Sequence, residues 1–71
     1  MPRLHSSGRI VKVLLLKGFY LVSQKGSHAK FHKDLNHQTL VVIVPIGRKE
    51  IPHGTFHSIL RQSGLKKEDF K

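Results

Sequence analysis

Seventy-one residues carry 13 lysines and arginines against 4 acidic residues, a formal charge of +9 at neutral pH, and no cysteine. A chain this short buries only roughly 60% of its unfolded surface, so residues 1–71 are read as one small domain with no room for a second core. The charge excludes an enzyme for neutral small molecules and points to a polyanion, whereas the missing cysteine excludes disulfides and thiolate catalysis and gives no argument for export.

Ser6 and Ser7 offer cap oxygens for a helix from about Gly8 to Lys17. In it Ile10, Val13 and Leu14 follow the i, i+3, i+4 spacing of a buried stripe, and Gly18 ends it. The apolar run Val13 to Leu16 is bracketed by Lys12 and Lys17, too short for a membrane helix or a signal-peptide core. The basic residues are spread along the chain rather than gathered on one amphipathic face, which argues against a lipid partner; with nothing arguing for export, the protein is read as cytoplasmic.

Phe19 to Gln24 is aromatic and β-branched, Lys25-Gly26-Ser27 supplies a turn, and His28 to Lys33 completes an antiparallel hairpin. Alternation puts Ala29 and Phe31 toward the core and His28, Lys30 and His32 on the other face. Asp34 to Gln38 is a polar turn. Thr39 to Val44 is a third strand, stopped by Pro45 and apolar on both sides, with Leu40, Val42 and Val44 against Val41 and Ile43. Its second apolar face meets either a partner or the chain's own loops.

Ile46 to Pro52 reads as a loop. Thr55 caps a second helix that runs to about Gln62, with Phe56, Ile59 and Leu60 inward and Gly64 as its stop; Lys66 to Phe70 adds one more turn. The expected fold class is α+β, a helix, a three-stranded antiparallel sheet and a helix, with both helices on one sheet face.

The chemistry concentrates at the hairpin turn. His28 is a proton carrier suited to neutral pH, and on its strand face Lys30 and His32 would meet the same phosphodiester. As a general base it would take the proton of an RNA 2′-hydroxyl. Lys25, Gly26, Ser27, Lys30 and His32 are the candidate phosphate-binding residues, and Lys49 and Arg61 the cations placed to track a nucleic-acid backbone. Composition alone favours an ordinary surface histidine at position 28. Ser27 reads as a turn hydroxyl rather than a nucleophile, because its neighbour points to the opposite strand face and no carboxylate is at hand. His28 with His32, and His53 with His57, have ligand-like spacing, but no third ligand can be named, so neither metal nor other cofactor is expected. Arg48, Lys33, Lys66 and Lys67 read as solvated charges. Tyr20 is the main candidate for base stacking, so sequence selectivity should be weak.

Several pieces in fixed order then carry a resemblance: Ser7-Gly8, Lys17-Gly18-Phe19, Gln24-Lys25-Gly26-Ser27-His28 followed by Lys30-Phe31, Val44-Pro45, Lys49-Glu50-Ile51-Pro52, Gly54-Thr55, and Ser58 to Leu65. From Ser7 to about Phe70 the chain resembles the HicA toxin family of toxin and antitoxin pairs. The resemblance implies a fold like the double-stranded-RNA-binding domain and an mRNA interferase with His28 as its catalytic histidine. It also implies a HicB-type antitoxin that covers the active site in a heteromeric complex; a homo-oligomer is the other assembly in view. The alternative function on the same fold is a noncatalytic RNA-binding module. Many members of the family carry a further histidine after Val-Pro, where this chain has Ile46-Gly47-Arg48.

Overall fold

A computed structural model describes residues 4–71, so the first three residues of the expected domain lie outside the described residues. Helix α1 (Ser7–Leu16) is followed by strands β1 (Tyr20–Lys25), β2 (His28–Asp34) and β3 (Thr39–Pro45), helix α2 (His53–Ser63) and a 3-10 turn at Lys67–Phe70. The strands form one antiparallel sheet in the order β1-β2-β3. This is the α-β-β-β-α arrangement of double-stranded-RNA-binding domains.

Both helices cover the sheet face that carries Ala29, Phe31, Val42 and Val44. Ile10 and Leu14 of α1 and Ile59 of α2 join these residues in one core with Phe19, Ile51 and Phe70. Phe70 is fully buried and meets Phe56 edge-on at 5.2 Å, which makes the last turn part of the core. Among the described residues no helix is long and apolar enough to cross a membrane.

The local differences from expectation have physical causes. Phe19 is 3% exposed and fills the corner between α1 and the sheet, so the strand begins one residue later. At its other end Lys25 pairs with His28, which tightens the turn to Gly26 and Ser27. Gly26 takes φ 56 while no described non-glycine residue has a positive φ, the sign pattern of a type II′ hairpin turn. Helix α2 begins at His53 because Pro52, extended at φ −57 and ψ 150, delivers the chain straight into it; no side chain caps it, and Thr55 lies inside the first turn.

Only Ser6 acts as the cap of α1, its Oγ accepting a hydrogen bond from the Arg9 N–H at 3.1 Å. Ser7 has another task. It is 3% exposed, its Oγ donates to the Pro45 carbonyl at 2.6 Å and accepts from the Arg48 N–H at 3.0 Å, and its own N–H donates to the Arg48 carbonyl at 2.9 Å. These bonds fasten the loop after β3 to the start of α1. The outer edge of β3 is also engaged by α2, where Gln62 Oε1 accepts from the Ile43 N–H at 3.0 Å.

Candidate functional site

The strand register sorts the uncovered sheet face into cross-strand rows. Lys25, His28 and Pro45 form one row, Ser23, Lys30 and Ile43 the next, and Tyr20, His32 and Val41 the third. In a regular strand Tyr20 and Lys25 would point to opposite faces, since five residues is an odd separation. A β-bulge between Leu21 and Ser23 leaves Val22 unpaired and restores both side chains to the same face. The sequence gives no glycine or proline signal for this bulge.

His28 is exposed, with the Ser27 Oγ 3.5 Å from its Nδ1, at the limit of a hydrogen bond, and among the described residues no carboxylate is bonded to the ring. Lys25 stands opposite it on β1, Lys30 lies two residues along β2 on the same face, and the three side chains line one open pocket. Beyond β3 the face continues into an open groove of about 380 Å³ in which His28 looks toward Arg48, Thr55, Ser58 and Gln62. Arg48 is held at the far wall through its backbone bonds to Ser7. Gly47, at φ 80, allows the chain to turn there, and the Ile46 N–H donates to the Ser27 carbonyl at 2.6 Å, tying this loop to the residue before His28.

The candidates chosen from the sequence are therefore brought together unequally. Lys25, Gly26, Ser27, Lys30 and His28 share the turn end of the face. His32 lies at the other end, half-buried, with its ring 6.2 Å from that of Tyr20 at an interplanar angle of 64°. Arg61 is outside the groove but places its Nη2 3.5 Å from Ser58 Oγ on the groove wall. Lys49 is exposed in the loop and does not line the groove, whereas the adjacent Arg48 does. Thr55 and Ser58, one helical turn apart, supply hydroxyls that sequence reading assigned to capping or left unassigned. Nothing in the local sequence separates Arg48 from the adjacent Lys49.

Among the described residues no three histidine or carboxylate side chains converge as metal ligands. His53 borders a separate cleft with His5 and Phe56, and His57 is exposed on α2. At the far end of the face the Tyr20 phenol donates to Asp34 Oδ2 at 2.8 Å, and this hydrogen bond, with smaller contributions from burial and the carboxylate charge, raises the phenol pKa above its ordinary value.

The arrangement can hold an anion, since cations and hydroxyls line an open surface around the His28 imidazole. No curated protein matches the chain. The family model described as HicA toxin of bacterial toxin-antitoxin matches residues 7–65, from buried Ser7 past the end of α2, and the chain therefore belongs to the HicA toxin family, whose members are the toxins of toxin and antitoxin pairs.

Proposed function

We propose that this toxin is a slow, metal-independent endoribonuclease, an mRNA interferase working in the cytoplasm, with His28 as its general base. The observation that supports it is the position of His28, exposed between Lys25 and Lys30 and facing Arg48 across the groove. The scissile phosphate lies over the turn, held by Lys25, Lys30 and Arg48. His28 takes the proton of the 2′-hydroxyl, the freed oxygen forms a bond to phosphorus, and the bond to the 5′ oxygen breaks. The products are a 2′,3′-cyclic phosphate and a 5′-hydroxyl, the latter protonated by water at this open surface. His32 is about 13 Å along β2, four residues at about 3.3 Å each, and so does not serve the same phosphate. The fixed cations stabilise the extra negative charge of the transition state. A HicB-type antitoxin is the partner expected to cover this face.

The deciding comparison is parent against His28→Ala on single-stranded RNA. Because His28 is exposed, the variant should keep the parent's unfolding temperature while cleavage falls about 10²–10⁴-fold. Equal rates would remove His28 from the chemistry. A 2′-deoxy nucleotide at the scissile position should stop cleavage, and a chelator should leave it intact. The absence of a carboxylate to orient His28 favours one second reading, a noncatalytic RNA-binding module. It predicts bound RNA that survives prolonged incubation with the parent.

A further inference from the structure

The open face extends past the phosphate position to a feature with different chemistry. At its far end the single tyrosine of the chain is clamped across all three strands. Its hydroxyl donates to Asp34 Oδ2 of β2 at 2.8 Å, and Asp34 Oδ1 accepts from Thr39 Oγ1 of β3 at 3.1 Å. His32 backs the ring edge-on, yet Tyr20 remains 45% exposed. Beside it on β3 lies Val41, and one row closer to His28 lies Ile43, both exposed apolar side chains. Cations dominate one end of the face, and a rigid aromatic ring marks the other.

We propose that Tyr20, backed by His32, is a base-stacking subsite for single-stranded RNA running along β2, separate from the phosphate position at His28. The proposal rests on the RNA-cleaving reading of that position. A phenol fixed by a hydrogen bond offers a flat surface at little further entropic cost, and every base has a face that stacks on it. The Asp34 carboxylate meets the hydroxyl edge of the ring rather than its face, and in this reading the phosphates stay with Lys25 and Lys30. The bulge at Val22 is what makes the subsite available, because it turns Tyr20 onto the same face as Lys25. A duplex could not use it, as its bases are already stacked on each other. The subsite selects for unpaired RNA with little preference among bases.

The chain has no tryptophan, so its intrinsic emission comes from Tyr20 alone. The test uses the His28→Ala protein, which keeps RNA whole, titrated with a dye-labelled single-stranded oligoribonucleotide while label anisotropy and tyrosine emission are followed together. Both signals should saturate in parallel, with emission quenched. Tyr20→Leu should weaken binding roughly 5- to 150-fold, and Tyr20→Phe, which keeps the ring, should restore most of it. With active protein, the parent should prefer a longer oligonucleotide to a dinucleotide through a lower KM, and Tyr20→Leu should lose that preference; a misfolded sheet would instead lose both substrates. Saturating anisotropy with unchanged emission would overturn the subsite and leave the nuclease reading standing. No binding at all would overturn both.

Discussion

Leu21 and Phe31 stand directly opposite each other on the same sheet face, yet Phe31 is 1% exposed and Leu21 51%. The difference lies in what covers them. Helices α1 and α2 pack over β2 and β3, while every residue of β1 is exposed. One side of the sheet is fastened by the core, by Ser7 and by Gln62; the other is held by the β1 ladder and the Tyr20 hydrogen bond. The catalytic candidate sits on β2 between them, with its groove on the fastened side and its proposed stacking subsite on the loose one. Stability is thus concentrated at one edge of this small sheet, while the proposed recognition surface spans both.

The sharpest way to break this comparison is to truncate the facing pair. Phe31→Ala should cost about 3–5 kcal/mol, a large share of the stability of a small domain, whereas Leu21→Ala should cost less than about 1 kcal/mol. Denaturant unfolding of the two variants measures this directly. Equal losses would mean that β1 is covered in solution, by a second copy or another partner, and the picture of a free edge would fail.

A smaller effect sharpens the link between the fastened edge and the site. Ser7→Ala leaves the Pro45 carbonyl and the Arg48 N–H without their partner, which should cost about 2 kcal/mol at this partly buried place. If Ser7 positions Arg48, cleavage by the variant should fall at temperatures where it is fully folded, and more steeply with salt than for the parent, because a loosened guanidinium is screened more easily. A loss of stability with unaltered cleavage would show that the loop is held without Ser7. Arg48→Ala should reproduce the cleavage defect without the loss of stability, since its side chain is exposed.

These tests also mark where the sequence was legible. The hairpin, the third strand and the sorting of β2 into Ala29 and Phe31 against His28, Lys30 and His32 follow from local alternation, a property of neighbouring residues. Arg48 was not distinguishable from Lys49 because its place depends on Ser7, which is 41 positions away in the chain and looks like a helix cap. Thr55 was misread for a different reason, as Pro52 sets the helix entry and frees the threonine to face the groove. The shared face of Tyr20 and Lys25 was hidden because Leu21-Val22-Ser23 has no residue that announces a bulge. Only the Arg48 case needed distant parts of the chain to meet; the other two turned on local geometry that residue type does not announce.

The smallest expected effects separate the two sides by pH. On the fastened side the His5 ring packs 4.9 Å from Phe56, and burial first, then the neighbouring Arg9 charge, lower its pKa. The folded state therefore binds this proton less readily than the unfolded chain, and the stability it contributes is present above about pH 6.5 and lost as pH falls. Asp69 follows the same sign in stronger acid, its pKa lowered chiefly by the Lys66 backbone N–H and next by Lys17. Tyr20 behaves oppositely. Its raised pKa means that its contribution is complete below about pH 10 and disappears as pH rises through the folded value, when the phenolate can no longer donate to Asp34. Unfolding temperatures across the pH range should show His5→Gln flattening the decline between pH 7 and 5, and Tyr20→Phe flattening part of the alkaline decline while leaving the acid limb unaltered. If Tyr20→Phe instead kept the whole alkaline decline, the phenol clamp would not be holding β1.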